Sequence, residues 1–453
     1  MNFRRIAKAL IPKALFERIS PFGHLVEAVI FNLINGFPAR NLKVIGVTGT
    51  NGKTTTCFLI HKMMVEAGYK VGLMTTVGYG VGNEIKPQIH HMTNVAVPEL
   101  MQRLKEMKQQ GIEWLVLETT SHALAQHRVW GVPYSIVVMT NVTHEHLDYH
   151  KTFEAYRDAK RKLFVNCNRN QKGLRTGVIN AEDDSAKLFQ SDIKKSSTYG
   201  IKKGDLKATN IKSAPIGSIF DVKLAGRKKL KLHIKTRLAG SFNIYNCLAA
   251  VGVGLTLKLK PAQIEQGIAS LKSVEGRMMA INEGQDFDVI VDYAHTPDSF
   301  EKLFKDMKSV VEGKLIVLFG SAGRRDKAKR AVQGELAGKY ADEVVLTEED
   351  DRDENGMSIL LEIAKGAQKA GKVPNKDLFL VHNREEAIKF TIGRAKAGDT
   401  VLLLGKGHEK TIERDDREDP WDEVGVARQA LQSRVKRAEY RKMEQQPINP
   451  TAT

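Results

Sequence analysis

The sequence predicts an α/β protein with two mostly parallel sheets and a short helical segment in front of them. Aliphatic runs alternate with helical patterns in two separate series, which is typical of doubly wound sheets. The chain has 453 residues, enough for two or three domains with separate cores. We predict a helical N-terminal segment (1–39), a central domain (40–271), a C-terminal domain (272–432) and a frayed polar tail (433–453).

The N-terminal segment interleaves apolar and basic residues, and prolines interrupt its helical pattern. The interruptions are Pro12 and residues 21–23, so a second helix is predicted over 25–34, ending before Gly36. Two interpretations remain open for this segment. It forms a helical collar packed on the next domain, or it lies on a membrane surface with one basic face.

Strands are predicted where β-branched and aliphatic residues cluster. They are 44–47, 114–117, 136–139 and 176–179 in the central domain, and 289–291, 315–319, 343–346 and 400–404 in the C-terminal domain. Basic and apolar residues alternate over 227–235, which predicts an edge strand with one solvated face. This is favoured over a nucleic-acid site because no aromatic residue lies in the segment to stack on bases.

The most specific pattern is a Gly-rich turn between the strand at 44–47 and a helix predicted to end near Ala67. Its residues are Gly49, Thr50, Asn51, Gly52, Lys53, Thr54 and Thr55. In such a turn, backbone N–H groups and a helix N-terminus surround phosphate. Lys53 is expected to reach the terminal phosphates of ATP, and the Thr54 hydroxyl to bind Mg²⁺. The central domain is therefore predicted to resemble P-loop ATPases, and the C-terminal domain to be Rossmann-like.

Charge and composition restrict the function classes. The formal net charge of +17 favours anionic partners, namely nucleotides, nucleic acid or an acidic membrane surface. The three cysteines lie far apart and fit buried apolar positions in a reducing compartment. No segment reaches the ~20 apolar residues of a membrane span, and no signal-peptide pattern is present. We expect a cytoplasmic protein.

Polar residues follow two further strands. Glu118 comes directly after 114–117, at the sheet edge where ligands bind, and could hold Mg²⁺ or cap a helix. Three histidines, His144, His146 and His150, follow the next strand. Zinc is one interpretation, but no further Cys or His lies at a structural-zinc spacing, so one histidine as a Mg²⁺ ligand is favoured. Lys160, in a later helical pattern, is by itself predicted to be solvated.

Taken in order, these motifs resemble the Mur ligases, the ATP-dependent amide-forming enzymes of peptidoglycan precursor synthesis. The resemblance covers about residues 40–432. Within the family, the chain most resembles the MurE type, which adds the third amino acid to a UDP-N-acetylmuramoyl dipeptide. It continues through residues 240–246, 276–278, 292–297, 319–320, 325–327 and 405–409. The sequence Gly407-His408-Glu409 distinguishes this type from other Mur ligases and from folylpolyglutamate synthases.

The resemblance implies a metal and nucleotide site. Thr54 and Glu118 would hold one Mg²⁺, and His146 would help to hold a second. Lys160 matches a lysine that family members carry as a carbamate, an anion that suits a hard cation. The predicted catalytic residues are Lys53, Glu118, His146 and Lys160, and the further nucleotide contacts are Asn243, Asn246, Arg277 and Asp292.

The resemblance also implies the substrates and the mechanism. Substrate contacts are expected at Thr93, Asn94, Thr120, Gln126, Arg128, Arg352, Gly405 and Glu409. A muramoyl-peptide carboxylate would attack ATP, with Lys53 and Mg²⁺ neutralising charge, and an amino acid would then attack the acyl phosphate. No nucleophilic side chain is required. We expect a monomer that does not bind nucleic acid.

Two features depart from the family pattern. Family enzymes carry an N-terminal uridine-binding domain, whereas 39 residues precede the first series here. The donor is therefore expected to be held weakly at uridine or to be lipid-linked, with peripheral contact to anionic membranes. The second departure is Glu349-Asp350-Asp351-Arg352, where the diaminopimelate enzymes resemble Asp-Asn-Pro-Arg. Arg352 could pair with a distal carboxylate and Glu409 with a distal ammonium, which favours meso-diaminopimelate over lysine.

Two other function classes compete with a ligase. A non-catalytic ATP-binding scaffold would be expected to lose its metal ligands first, yet Lys53, Glu118, His146 and Lys160 are all present. A nucleic-acid-binding ATPase is favoured only by charge, because aromatic platforms and RNA-binding motifs are missing.

Overall fold

The computed structural model describes residues 13–88, 93–226, 231–415 and 417–444. These residues form two compact units. The first unit contains the described residues up to 211 together with 219–226, 231–236 and 242–271, and the second contains 212–218, 237–241 and the described residues from 272 onwards.

The first unit is built around a large sheet with helices on its faces. Its helices are α1 (Lys13–Ile34), α2 (Lys53–Glu66), α3 (Val97–Gln109), α4 (Ser121–Ala125), α5 (Leu147–His150), α6 (Phe153–Arg169), α7 (Ala186–Ser191), α8 (Phe242–Thr256) and α9 (Pro261–Ser270). Its strands are β1 (Lys43–Thr48), β2 (Val71–Met74), β3 (Gly78–Val81), β4 (Glu84–Pro87), β5 (Trp114–Glu118), β6 (Tyr134–Met139), β7 (Thr176–Asn180), β8 (Lys195–Gly200), β9 (Leu206–Ser213), β10 (Ser218–Leu224) and β11 (Lys231–Thr236).

The strand order of this sheet is β11-β10-β9-β8-β7-β6-β1-β5-β2-β3-β4 among the described residues. Strands β7, β6, β1, β5 and β2 are parallel, so their carboxyl ends meet at one edge. The three central strands are almost entirely buried, which explains their continuous aliphatic sequences. Strand β11 lies at the opposite end of the sheet from β4, and its residues alternate between exposed and buried. This confirms the predicted edge strand for its described part.

The second unit contains a smaller sheet. Its strands are β12 (Met279–Ile281), β13 (Asp288–Asp292), β14 (Leu315–Phe319), β15 (Glu343–Leu346), β16 (Leu378–Leu380), β17 (Thr400–Leu404), β18 (Thr411–Arg414) and β19 (Arg417–Pro420). Its helices are α10 (Pro297–Lys308), α11 (Ala328–Tyr340), α12 (Gly356–Lys369), α13 (Arg384–Arg394) and α14 (Glu423–Glu444). The order is β12-β13-β17-β14-β15-β16, with β13 to β16 parallel, and β18 and β19 form a separate hairpin.

The structure corrects two predictions near the ends of the chain. Helix α1 runs through Pro21 without a break, where the sequence predicts an interruption. A proline removes only one backbone donor, and a helix of 22 residues retains enough other hydrogen bonds to continue. The predicted polar tail is helical as far as Glu444, because α14 is anchored by the buried residues Ala427 and Leu431 and continues through good helix formers. The part of the first predicted helix before Lys13 lies outside the described residues.

None of the described helices is both long enough and apolar enough to span a bilayer.

Candidate active site

The Gly-rich turn between β1 and α2 depends on two glycines. Gly49 and Gly52 have φ of 152° and 83°, the second of which is left-handed backbone that favours glycine. A Cβ at Gly49 would lie 1.8 Å from the Thr140 Oγ1 atom, and one at Gly52 would lie 2.4 Å from Asn246 Oδ1. The turn is therefore packed against α8 and against the residues that follow β6. The first turn of α2 also leaves backbone N–H groups without intrahelical partners, as a phosphate site requires.

Two residues at the end of β6 hold this turn in place, and the sequence analysis did not assign them to the site. Thr140 donates its hydroxyl to the Asn51 carbonyl at 2.7 Å. The Asn141 side chain accepts from Asn51 N at 2.9 Å and donates to Asn51 O at 3.0 Å. Because β6 runs parallel to β1, both residues lie at the same sheet edge as the turn. Like Glu118, both residues lie at the carboxyl end of a buried strand, and this position is the sequence signal that marks them.

The predicted metal ligands of α2 and β5 lie together. Thr54 donates its hydroxyl to Glu118 Oε2 at 2.9 Å, and the backbone N–H of Thr76 donates to the same oxygen at 3.0 Å. The pairing of β1 with β5 sets Val47 opposite Glu118, which brings the carboxylate to the turn. Lys53 Nζ donates to the Thr50 carbonyl at 2.7 Å. A buried carboxylate beside a hydroxyl is a suitable oxygen donor set for Mg²⁺.

Lys160 is buried, so the prediction that it is solvated by itself is wrong. Its side chain is 1% exposed, and Nζ donates to the Gly49 carbonyl at 2.6 Å and lies 4.4 Å from the centre of the Tyr156 ring. Burial, with a further contribution from the Lys53 charge, lowers the pKa of Lys160 well below its usual value. The neutral amine, the form that reacts with CO₂, is thereby favoured.

The predicted histidine ligand, His146, lies near the Tyr156 ring that Lys160 also contacts, with ring centroids 6.0 Å apart. His146 has left-handed backbone with φ of 57° at the start of α5, and its ring contacts His122, with centroids 4.7 Å apart. Among the described residues, the histidines that follow β6 are not part of a group of three possible metal ligands whose donor atoms lie within 4.8 Å of one another. In the described part of the chain, the one group of three possible ligands whose donor atoms converge within 4.8 Å is Glu348, Asp351 and His382 in the second unit. A role for His146 in holding Mg²⁺ stays a prediction.

The five predicted substrate residues of the first unit come together around Asn94. The Asn94 side chain donates to the Glu118 carbonyl at 2.7 Å and accepts from the Thr120 hydroxyl at 2.9 Å. The Asn94 carbonyl accepts from Arg128 Nη1 at 3.0 Å, and Arg128 also donates to Gln126. The remaining member, Thr93, shares a hydrogen bond of 2.7 Å with Thr76, whose backbone contacts Glu118.

The two predicted nucleotide contacts on α8 also meet the turn. Asn246 donates to the Asn243 side chain at 2.8 Å and accepts from the Thr56 hydroxyl at 3.2 Å. Both asparagines are buried.

In the second unit, Arg277 and Asp292 lie around the end of β13. The Arg277 guanidinium lies 4.7 Å from the centre of the Tyr293 ring, and its buried Nε has no hydrogen-bond partner among the described residues. Asp292 accepts from the backbone N–H groups of Met278 and Ala294, each at 2.7 Å. Burial raises the pKa of Asp292, and the Arg277 charge opposes that shift.

The loops after β15 and β17 carry the predicted amino-acid contacts. Lys406 Nζ joins them, because it donates to Asp350 Oδ1 at 2.9 Å and to Glu409 Oε2 at 2.7 Å. Arg352 is paired within the unit: Nε donates to Glu413 Oε2 at 2.6 Å and Nη1 to the Gly323 carbonyl at 2.6 Å. Sequence reasoning did not identify the pairing of Lys406 with Asp350 or that of Arg352 with Glu413, because these partners lie 56 and 61 residues apart in the chain.

The acidic residue Glu349 and the glycine that follows β17 lie face to face in these loops. Gly405 has φ of 104°, and a Cβ there would lie 3.0 Å from Glu349 Oε2. This oxygen is buried and has no hydrogen-bond partner among the described residues. The second unit thus presents an unsatisfied carboxylate oxygen beside the loop that carries Glu409.

The fold and the first unit's site define a class: an α/β protein whose Gly-rich turn, of the phosphate-binding type, lies beside a buried carboxylate that is bonded to a threonine hydroxyl. Comparison with known proteins identifies a family within this class. The family model described as "Mur ligase middle domain" matches residues 47–254, and the one described as "Mur ligase, glutamate ligase domain" matches residues 276–407. No match to a Mur ligase N-terminal domain was found.

Individual relatives agree with the family match. The chain is 39% identical over 412 residues to a UDP-N-acetylmuramyl-tripeptide synthetase of Roseiflexus sp. (strain RS-1), covering 87% of this chain and 80% of the relative. It is 38% identical over 421 residues to a UDP-N-acetylmuramoyl-L-alanyl-D-glutamate–2,6-diaminopimelate ligase of Geobacillus thermodenitrificans (strain NG80-2), covering 92% and 84%. A solved structure of a ligase with this second name matches with a TM-score of 0.64 and 28% identity, covering 92% and 83%.

The chain belongs to the Mur ligase family. The predicted family, the α/β fold with two sheets and the assignment as an ATP-dependent ligase are confirmed.

Proposed function

We propose that this chain is a ligase that couples ATP hydrolysis to the addition of an amino acid to a UDP-N-acetylmuramoyl-L-alanyl-D-glutamate-like donor. One observation carries the proposal: Asn94 donates to the Glu118 carbonyl at 2.7 Å. It thereby joins the group around Arg128 to the carboxylate that bonds Thr54. A donor carboxylate bound at the first group would lie beside the terminal phosphate of ATP bound at the second.

The reaction requires positioning and charge neutralisation rather than a protein nucleophile. The donor carboxylate attacks the γ-phosphate of ATP, which releases ADP and forms an acyl phosphate. The amine of the acceptor amino acid then attacks the acyl carbon, which forms the amide and releases phosphate. Lys53, in the turn, stabilises the charge that develops on the transferred phosphoryl group. Arg128 holds the donor, and the N–H groups at the start of α2 hold the phosphates.

Thr54 and Glu118 would hold Mg²⁺, with His146 as a further ligand. The ion would neutralise phosphate charge when bound. The lowered pKa of the buried Lys160 amine supports the proposed carbamate, because it increases the fraction of the neutral form that reacts with CO₂. This addition would convert the amine into an anion and release a proton. The turn carbonyl of Gly49, which accepts from Lys160 Nζ at 2.6 Å, orients this side chain.

The acceptor amino acid has two candidates. The sequence favours meso-diaminopimelate, with Arg352 on its distal carboxylate and Glu409 on its distal ammonium. The pairing of Arg352 with Glu413 at 2.6 Å favours the second candidate, lysine, which has no distal carboxylate to replace Glu413. Glu413→Gln separates the two. It raises kcat/KM for diaminopimelate if Arg352 must leave Glu413, and it leaves the preference unchanged if lysine is the acceptor.

The donor can be UDP-linked or lipid-linked, and the second form implies peripheral contact with an anionic membrane. Helix α1 supports such contact, because Val26, Ile30, Leu33 and Ile34 are 58%, 46%, 61% and 73% exposed. The opposite side of the helix is held to the first unit, where Asn32 donates to the Trp130 carbonyl at 3.2 Å. Basic residues of the N-terminal segment would add roughly 1 kcal/mol each near anionic lipid.

Vesicle sedimentation tests the membrane contact. The double variant Ile30→Ser, Leu33→Ser should lose salt-sensitive binding to phosphatidylserine vesicles. A matched control is Leu361→Ser in the second unit, since Leu361 is 53% exposed. Equal binding by wild type, the double variant and the control would remove α1 from the contact.

ADP release by the purified protein tests the ligase proposal. UDP-linked and lipid-linked muramoyl dipeptides are offered with a panel of amino acids, and the product is identified by mass spectrometry. We expect ADP release that requires both a donor and an amino acid, with one amide formed per ADP. ATP turnover that is independent of both would contradict the proposal.

A further inference from the structure

A buried arginine, Arg384, is the central residue of an ion-pair network in the second unit. It is the first residue of α13, where Asn383 caps the helix, and its side chain is fully buried. Its Nε and Nη2 donate to the Glu423 carboxylate at 2.8 and 2.6 Å. Glu423 is buried as well and also accepts from Trp421 at 2.8 Å. This fork-like pairing compensates both buried charges.

The other donors of Arg384 reach two backbone carbonyls. Nη2 donates to the carbonyl of Leu404, the last residue of β17, at 2.7 Å. Nη1 donates at 2.9 Å to the carbonyl of Glu348, which lies just after β15. Strands β15 and β17 both pair with β14, one on each side. One guanidinium therefore spans the carboxyl ends of two strands that are separated in the sheet by β14.

The Glu348 side chain is fixed from two further directions. Its carboxylate accepts from Arg414 Nε and Nη2, each at 2.8 Å, and from the backbone N–H of Arg384 at 3.1 Å. The next residues, 349–352, form the loop with Asp350 and Arg352. Likewise, the residues after Leu404 form the loop that contains Lys406 and Glu409.

We propose that Arg384, held by Glu423, is a positioning residue for the acceptor amino-acid site because it sets the spacing between loops 349–352 and 405–409. Lys406, which lies on loop 405–409, depends on this spacing because its Nζ donates to Asp350 on the other loop at 2.9 Å. Its second bond, to Glu409 at 2.7 Å, lies within its own loop. The inference rests on the proposed ligase function only for the identity of the ligand. The spacing itself is a property of the ligand-free protein.

The first test compares the KM values of two variants in which an arginine is replaced by lysine. Arg384→Lys keeps the charge but cannot serve four acceptors in a fixed plane. Its KM for the amino acid should rise by about 10-fold, because small displacements of binding groups weaken productive binding strongly. Its KM for ATP should stay unchanged. The matched control is Arg394→Lys. Arg394 also donates to a carboxylate, that of Glu343 at 2.6 Å, but this pair lies at the amino end of β15. The control should change neither KM, and an equal rise in both KM values for Arg384→Lys would overturn the proposal.

The second test is hydrogen exchange, which needs no activity. Three amides of these loops are hydrogen-bonded: Arg352 to Glu413, Gly405 to Asp292 and Glu409 to Lys406. In Arg384→Lys, and to a smaller degree in the milder Glu423→Gln, these amides should exchange faster while the centre of the sheet is unchanged. Uniform acceleration, or none, would overturn the proposal. If exchange changes locally but no amino acid is ligated by the wild type, the proposed function fails and the positioning role stands.

Discussion

Acid should destabilise the first unit through one histidine, His61. It lies in α2, is 3% exposed, and its Nε2 atom is buried without a hydrogen-bond partner among the described residues. Burial lowers its pKa from 6.5 to about 4. The unfolded chain takes up a proton near the ordinary pKa and the folded chain does not. Stability is therefore present above the unfolded pKa and is lost as the pH falls towards the folded one.

The size of the stability loss follows from the shift in the pKa of His61. A difference of about 2.5 pKa units at 1.36 kcal/mol per unit gives about 3 kcal/mol of lost stability at full protonation. Between pH 7 and 4.5 the loss should be about 2 kcal/mol. For a protein with two units this loss is a large share of the stability of one of them.

Urea unfolding of wild type and His61→Gln at the two pH values measures this loss. Each unit must be followed separately, because two-state analysis does not hold for several domains. In a Trp421→Phe background, the remaining tryptophans, Trp114 and Trp130, both lie in the first unit and report its unfolding. Two results would contradict a role for His61 in acid sensitivity: the same pH dependence in His61→Gln as in wild type, or a His61 imidazole that titrates near pH 6.5 by NMR.

Three further predictions concern the phosphate turn and the metal site. Lys53→Ala should lower the ligation rate by about 10²-fold or more by removing charge stabilisation, and near-normal turnover would exclude Lys53 from the mechanism. Lys160→Ala should be almost inactive and partly restored by short carboxylic acids, and failure of every such acid together with an unmodified Lys160 by mass spectrometry would argue against the carbamate. Gly52→Ala should lose about 1–2 kcal/mol of stability and also bind ATP more weakly, because the backbone at this position has a positive φ and the new Cβ would clash with Asn246. The control is Gly68→Ala, because Gly68 has a φ of 88° and a Cβ there would have no neighbour within 4 Å. This variant should lose stability but keep the same ATP dissociation constant, measured by calorimetry.

Local sequence patterns are sufficient to predict several elements of the fold and part of the candidate site. Strands at 315–319, 343–346 and 400–404 are found with the predicted limits, because a buried parallel strand is a continuous aliphatic run between turns. The phosphate turn and Glu118 were also predictable. Each lies directly after such a strand, and parallel strands bring their carboxyl ends to one edge.

The burial of individual side chains and the pairing of charges depend on how the elements pack in three dimensions. Lys160 resembles a solvated lysine in sequence, yet α6 packs so that its amine meets the Gly49 carbonyl. Arg352 resembles a free ligand-binding cation, yet it is paired with Glu413 on the β18 hairpin. Arg384 has no sequence pattern that marks it, since its partners, Glu348, Leu404 and Glu423, come from three separate elements. Local periodicity determines which face of an element is apolar. The partner of a charged group depends on strand order and packing, which bring together residues far apart in the chain.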